Sequence, residues 1–196
     1  MGLILSLDSA GNPHKWIDWE TAIVYHAKGL VAWSYGENQV TYNGGVQRIS
    51  GERSSITTSS IIAVKGETSK RFKAPALSNR ALFRRDLNLC GFCGNQFSHD
   101  KLTRDHIMPK SRGGADSWMN TIAACKSCNH KKGARTPEEA GMKLLFVPYT
   151  PSRNEHLLLM NRNVLFDQMQ FLLATIPEKS RAHEYAKLHL AKVADQ

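Results

Sequence analysis

Two cysteine pairs of identical spacing constrain this chain more than any other feature of its sequence. Cys90 and Cys93 form the first pair, Cys125 and Cys128 form the second, and the chain has no other cysteine. Four thiolates in two CxxC pairs suit one tetrahedral zinc ion with a structural role. Disulfides are the alternative, but the apolar run of residues 3–7 is too short for a secretory signal. A reducing, cytoplasmic compartment is therefore expected, and there metal binding is favoured.

Three polar residues in or beside the segment between the cysteine pairs have the chemistry of a hydrolytic site. Asp105 and His106 lie between the pairs, and Asn129 directly follows the last cysteine. An imidazole with an ordinary pKa of about 6.5 accepts a proton from water at neutral pH, so His106 is the predicted general base. Together with a divalent cation, these groups are the parts needed to hydrolyse a phosphodiester.

Asp105 and Asn129 are the predicted ligands of that divalent cation. A carboxylate oxygen and an amide oxygen suit Mg²⁺ or Mn²⁺. Asp105 pairing with a nearby arginine is the alternative for the acid, and His130 competes with Asn129 as a ligand. Because neighbouring side chains on a strand point to opposite faces, Asp105 and His106 reach one site only if the strand twists or ends there.

Asn120 lies in the turn before a second predicted strand. Its side-chain amide both donates and accepts hydrogen bonds, so it can bond backbone on both sides of the long loop after His106. We expect a structural role that supports catalysis, without proton transfer.

Most of the positive charge coincides with the candidate site. Residues 78–136 hold 11 Lys and Arg against 4 Asp and Glu, so they carry +7 of the net charge of +9. A solvated basic face without function is the alternative, but the coincidence favours binding of a polyanion. The candidate phosphate contacts are Lys110, Arg112, Lys126, Lys131, Lys132 and Arg135.

The chain divides by pattern into three parts. Residues 1–77 are predicted to form a small α+β module and a linker, residues 78–143 the cysteine domain, and residues 144–196 a helical extension. No apolar run approaches the roughly 18 residues of a membrane span, so no membrane partner is expected.

Several elements of the first part follow from local signals. Asp18 is predicted to cap a helix over about 19–28, and Gly36-Glu37-Asn38 is predicted to be a hairpin turn. Residues 44–59 are polar and rich in Gly and Ser, which indicates an exposed loop.

The cysteine domain has the order strand, loop, strand, helix. The pattern predicts strands at 102–107 and 121–124, a loop at 109–117 and a short helix at 126–132 that ends at Gly133. Thr136-Pro137-Glu138-Glu139 has the signature of a further helix start.

The residues of this domain resemble those of the HNH endonuclease family, whose fold is the ββα-metal motif. The likeness covers about 55 residues in order: Cys90 to Gly94, Arg104 to Gly114, Asp116 to Thr121, Cys125 to Gly133 and Arg135 to Ala140. More weakly, residues 3–35 are similar to the N-terminal module of a bacterial and phage group of HNH proteins. The resemblance implies an α+β protein with a ββα-metal core and a structural zinc, preceded by a small α+β module and followed by helices.

The resemblance also implies a role for each site residue. His106 would activate the water, Asn120 would orient that histidine, and Asp105 would bind the catalytic metal. Many family members have histidine at the third motif position, where this chain has Asn129, so it resembles an H-N-N variant. The zinc role falls on the four cysteines.

The sequence thus predicts a metal-dependent DNA endonuclease of a bacterium or a phage-infected host cell, with zinc as its structural cofactor and magnesium or manganese as its catalytic one. The family likeness implies 5′-phosphate and 3′-hydroxyl products. Two alternatives stay open. A zinc-ribbon module that binds nucleic acid without catalysis needs the same cysteines and charge, and a ribonuclease needs the same metal chemistry.

Overall fold

The computed structural model describes residues 2–68, 73–161, 163–178 and 180–194, with the side chains of 190–194 outside that description. The chain is an α+β protein with two β-sheets in its described part. Its strands are β1 (Ile4–Leu7), β2 (Pro13–Ile17), β3 (Val31–Val46), β4 (Arg53–Val64), β5 (Leu102–His106) and β6 (Thr121–Cys125). Its helices are α1 (Trp19–Ala27), α2 (Asn79–Arg85), α3 (Lys126–Lys132), α4 (Arg153–Met160), α5 (Phe166–Leu173) and α6 (Ala182–Ala194).

These elements form two compact units. The first unit holds residues 1–73 and 161–177, and the second holds residues 74–160 and 178–196. The residues of the predicted C-terminal extension are shared between them, since α5 belongs to the first unit and α4 and α6 to the second. The three-part division predicted from the sequence stays a prediction.

The first unit is built on a four-stranded sheet in the order β2-β1-β4-β3. β1 runs parallel to β4, and the other pairs are antiparallel. α1 begins where predicted, because the Asp18 carboxylate accepts a hydrogen bond from the Thr21 amide at 2.9 Å. It ends at Ala27, and Gly29 shortly after it has a φ of +65°, the left-handed conformation that glycine adopts without strain.

The predicted turn at residues 36–38 is wrong, and the predicted loop at 44–59 is confirmed only for residues 47–52. β3 and β4 instead form one long antiparallel ribbon, with an irregular register between Tyr35 and Gln39. Thr41 and Thr57 oppose each other in that ribbon, and their hydroxyls lie 2.8 Å apart. Its outer part, residues 40–46 and 53–57, is largely exposed, whereas residues 58–64 of β4 are buried. An exposed ribbon carries polar side chains on both faces, so the polarity of this part resembles that of a loop.

In the second unit, a buried ion pair joins α2 to the hairpin of β5 and β6. Arg85 and Asp86 are almost fully buried, and the Arg85 Nε lies 2.7 Å from the Asp86 carboxylate. Asp86 also accepts a hydrogen bond from the Ala123 amide in β6 at 2.7 Å. Arg85 donates to the carbonyls of Trp118 and Thr121, each at 2.8 Å. The Arg85–Asp86 pair therefore fixes the start of β6 against the end of α2.

β5, β6 and α3 form the predicted strand, strand and helix. The two strands pair antiparallel from Leu102 opposite Cys125 to His106 opposite Thr121. α3 begins directly after β6 and ends at Gly133, as the sequence indicated. β5 ends at His106, where the chain leaves the strand for the long loop.

The region after α3 differs from the prediction. The Thr136 amide and hydroxyl bond the carboxylate and amide of Glu139, which are the contacts of a capping box. Only one turn follows, because the chain reaches Gly141 in a left-handed conformation at φ +64°. None of the helices within the described ranges is both long enough and apolar enough to span a membrane.

Candidate functional site

The four cysteines converge on one point of the second unit. One ligand atom from each of Cys90, Cys93, Cys125 and Cys128 lies within 4.8 Å of the other three. A zinc ion with four bonds of about 2.3 Å holds its sulfur atoms about 3.8 Å apart, so this spacing fits a tetrahedral ion. The cluster can therefore bind a structural metal such as zinc.

The protonation of the thiols also fits a metal. Burial, together with the neighbouring thiols of Cys125 and Cys90, raises the pKa of the Cys128 thiol well above its ordinary value. Several thiolates so close together repel one another, and a divalent cation removes that repulsion. The donor set thus matches the chemistry of zinc.

His106 is held by an acidic residue of the loop that follows β5. Its Nε2 lies 2.9 Å from the Asp116 Oδ1. The Arg104 Nη1 lies 2.9 and 2.8 Å from the two carboxylate oxygens of Asp116. The Arg104 guanidinium and the His106 ring lower the pKa of Asp116 to about 2, so this residue is a carboxylate at neutral pH.

Asp105 points into the protein, where it pairs with a lysine of α3. Asp105 is 5% exposed and Lys132 is 1% exposed. The Lys132 Nζ donates to the Asp105 Oδ1 at 2.9 Å. Burial raises the pKa of Asp105, and the Lys132 ammonium opposes that shift. The expected alternative, a pair between Asp105 and a nearby arginine, is not what the structure contains.

The second oxygen of Asp105 is the notable atom of this site. Asp105 Oδ2 is buried and has no hydrogen-bond partner among the described residues. An unpaired buried carboxylate oxygen costs free energy, which a bound cation would recover. The residues present therefore fit a divalent cation at Asp105.

Asn129 lies on the same side of β5 as Asp105. The Asn129 amide donates to the Thr103 hydroxyl at 2.8 Å. Thr103 and Asp105 are two residues apart on a strand and so share one face. α3 covers this face with Asn129 and Lys132, whereas His130 is exposed to solvent. The placement favours Asn129 over His130 as the partner of Asp105.

His106 has its described side-chain contact on the other face of β5. Its ring meets Asp116, which also contacts Arg104, the next residue on that face. β5 ends at His106, and only a strand that twists or ends there lets His106 and Asp105 reach one site. Their convergence with Asn129 stays a prediction.

Asn120 ties the long loop together. Its side-chain Nδ2 donates to the carbonyls of Met108 at 3.0 Å and Ala115 at 2.8 Å. Its Oδ1 accepts from the Met108 amide at 2.9 Å. The backbone on both sides of the loop is therefore bonded to one side chain, and its role in catalysis stays a prediction.

The six candidate phosphate contacts have different environments. Lys110, Lys126 and Lys131 are exposed. Arg112 is exposed but pairs with Glu139 at 2.7 Å. Arg135 donates to the Lys131 carbonyl at 2.7 Å. Lys132 is a correction, because its burial against Asp105 removes it from the surface that nucleic acid can contact.

Sequence reasoning missed the partners of the site residues. Asp116 lies within the stretch that carries the family resemblance, yet no role was assigned to it. The sequence feature that could have identified Asp116 is its position as an acidic residue in the loop that follows His106. Thr103 and Lys132 gave no signal, because their contacts depend on which turn of α3 faces β5.

The comparison with family models agrees with this geometry. Residues 90–145 match the model described as HNH endonuclease. The chain matches none of the curated proteins with which it was compared. Residues 90–145 are thus an HNH endonuclease domain, and the cysteine cluster fits a zinc-ribbon variant of it. The family indicates nuclease activity on a nucleic-acid substrate.

Proposed function

We propose that the HNH domain of residues 90–145 makes this protein a metal-dependent DNA endonuclease with a histidine general base. The observation that carries this proposal is the unpartnered, buried Oδ2 of Asp105, on the strand residue next to His106. A carboxylate oxygen left without a donor at the end of a strand is suited to a cation and ill suited to a purely structural role.

Each site residue then has one task. Asp105 and Asn129 hold Mg²⁺ or Mn²⁺ through a carboxylate oxygen and an amide oxygen. When bound there, such a cation would supply positive charge to offset the negative charge of the phosphate and of the leaving 3′ oxygen. His106 takes the proton of the attacking water, and Asn120 keeps the loop after His106 in place.

The zinc ion has a separate, structural task in this proposal. α3 begins after Cys125, contains Cys128, and carries Asn129 directly after it. An ion bound to the four thiols therefore fixes the start of the helix that provides a ligand to the catalytic cation.

DNA is the proposed partner because exposed positive charge surrounds the domain. Lys110, Lys126, Lys131 and Arg135 are exposed to solvent, where they can meet phosphates, and the Lys110 Nζ lies 3.9 Å from the Asp116 Oδ2. Such contacts give affinity without reading the base sequence.

The deciding experiment measures cleavage of supercoiled plasmid by zinc-loaded protein, with Mg²⁺ or Mn²⁺ added and with neither added. Nicked or linear product is expected only with the added cation. Product formed at the same rate without it, or no product under either condition, would contradict the proposal.

His106→Ala tests the general base in the same assay. We expect a loss of about 10²- to 10⁴-fold in rate, with zinc content and DNA affinity near those of the wild type. A variant that cuts at the wild-type rate would remove His106 from the mechanism.

The two alternatives give other results in parallel assays. A zinc-ribbon binding module would bind DNA and cut nothing. A ribonuclease would cleave RNA faster than DNA of the same sequence.

A further inference from the structure

The contacts of His106 identify a positioning residue outside the cation site. We propose that Asp116 holds His106 in the tautomer with its proton on Nε2, so that Nδ1 accepts the proton of the attacking water. The proposal rests on the nuclease function for its kinetic consequence, while its structural part is testable without any cleavage.

The tautomer follows from the acceptor that faces the ring. An ionised carboxylate only accepts hydrogen bonds, so a neutral imidazole 2.9 Å away must carry its hydrogen on the facing Nε2. The remaining ring nitrogen, Nδ1, then has a free lone pair. Asp116 is ionised at neutral pH, since Arg104 and His106 lower its pKa to about 2.

The carboxylate of Asp116 is itself held by Arg104. Arg104 bonds both oxygens of Asp116 through one guanidinium nitrogen. The Arg104 Nε donates to the Asn79 Oδ1 at 2.9 Å, at the start of α2. The side chains of Asn79, Arg104 and Asp116 thus form a chain of contacts from α2 to the imidazole of His106.

The loop that carries Asp116 is also anchored. Asn120 donates to the carbonyl of Ala115, the residue directly before Asp116. Asp116 therefore has a fixed backbone and a fixed carboxylate, which is the arrangement that sets a histidine tautomer in other catalytic sites.

This arrangement also serves the proton-transfer step. One O–H bond of the water breaks and an N–H bond forms at Nδ1. The resulting hydroxide forms the new bond to phosphorus as the bond to the leaving 3′ oxygen breaks. That oxygen takes a proton from solvent to become the 3′ hydroxyl, and the imidazolium then releases its proton to solvent. The imidazolium produced lies 2.9 Å from the Asp116 carboxylate, which stabilises its charge.

Asp116→Asn and Glu139→Gln form a matched pair for the test. Both wild-type residues are exposed carboxylates that accept two contacts from one arginine nitrogen. Glu139 contacts Arg112 and Thr136 and lies outside the chain of contacts that leads to His106. The full zinc-loaded chain with ¹⁵N-labelled histidine is used for both, and His106 is assigned from the signal that is missing in His106→Gln.

Nuclear magnetic resonance of the ring nitrogens decides the structural part. We expect the Nε2–H tautomer for His106 in the wild type and in Glu139→Gln, and a mixture of tautomers in Asp116→Asn. An Nδ1–H tautomer in the wild type, or no change in Asp116→Asn, would overturn the proposal.

Single-turnover cleavage at saturating protein decides the kinetic part. We expect Asp116→Asn to cut about 10- to 100-fold more slowly, and Glu139→Gln to cut at the wild-type rate. DNA affinity should stay the same or rise in Asp116→Asn, because a negative charge is removed. An equal cleavage rate for the two variants overturns the kinetic claim. A wild-type protein that cleaves no nucleic acid would overturn the nuclease function. In that case the tautomer measurement still decides the structural claim.

Discussion

At the scale of single residues, the buried pair of Asp105 and Lys132 places an acid and a base inside a small domain. Both side chains are almost fully buried and lie 2.9 Å apart. Removal of one partner from a buried ion pair leaves the other charge uncompensated. A cation bound at Asp105 would offset that charge.

Lys132→Met is therefore expected to lower the free energy of unfolding by about 3 kcal/mol. Lys131→Met, at the exposed neighbouring position, should change it by less than about 0.5 kcal/mol. Urea unfolding of both variants measures this, and added Mn²⁺ should recover part of the loss in Lys132→Met. Equal stability of the two variants would show that the pair does not form.

The two adjacent glycines of the long loop give a second matched comparison. Gly113 has φ +85° and open space where a methyl group would lie, whereas a Cβ on Gly114 would lie 1.8 Å from the Met108 carbonyl oxygen. Gly113→Ala should cost about 1 to 2 kcal/mol through backbone strain alone. Gly114→Ala should cost more, because the loop must open and release Asn120. Thermal unfolding of the two variants measures this. If Gly114→Ala is no less stable than Gly113→Ala, the close packing at Gly114 is contradicted.

The sequence predicted residues whose role depends on their own chemistry and failed for those whose role depends on a neighbour. The cysteines are recognisable by spacing, and their convergence is confirmed. Asp116 and Lys132 become visible only once the register of β5 and the rotation of α3 are known. Lys132 was accordingly assigned to the surface by its charge alone.

At the scale of elements, the hairpin and helix of the HNH domain are too short to be stable in isolation. β5 and β6 have five residues each, and α3 has seven. Isolated helices shorter than about 12 residues and lone hairpins are marginal in water, so these elements depend on contacts outside themselves, and a metal at the cysteines would add to their stability.

Removal of zinc should therefore unfold the HNH domain and abolish cleavage, and magnesium alone should not restore it. The first unit has its own sheet and core, so its amide signals should persist. Amide hydrogen exchange before and after chelation, followed by zinc and magnesium added separately and together, measures this. Full activity with magnesium and no zinc would exclude a structural zinc.

Element prediction failed where polarity and backbone geometry disagree. The ribbon of β3 and β4 is rich in Ser and Thr, which favoured a loop, but its threonines are β-branched and pair across the strands. α4 was also not predicted. By contrast, the strand, strand and helix of the HNH domain were predicted to within one residue at each end, and a glycine, Gly133, directly follows α3.

At the scale of the whole molecule, the uneven charge sets how binding responds to salt. Residues 78–136 carry most of the net positive charge. Four of the candidate contacts are exposed and lack a close ion pair within the described part of the chain, although Lys110 lies 3.9 Å from Asp116: Lys110, Lys126, Lys131 and Arg135. Each neutralised phosphate contributes a slope of about −0.9 to the dependence of log affinity on log salt concentration.

Four such contacts predict that DNA affinity falls about 100-fold between 50 and 200 mM salt. Lys126→Ala and Lys131→Ala should each reduce the slope by about one. Lys28→Ala, an exposed position in the first unit, should leave the slope unchanged. Fluorescence anisotropy with a labelled duplex measures all three, and an affinity indifferent to salt would exclude this surface as the binding footprint.

The adjacency of Cys128 and Asn129 has a consequence for how the protein matures. One residue completes the sulfur cluster, and the next one faces β5 through Thr103. In the proposed nuclease, zinc would therefore have to bind before the oxygen-ligated cation, because the cysteine cluster fixes the residue next to the proposed ligand Asn129. For the proposed nuclease, the zinc supply of the cell would therefore limit activity. Newly made protein without zinc would not cleave DNA at any magnesium concentration.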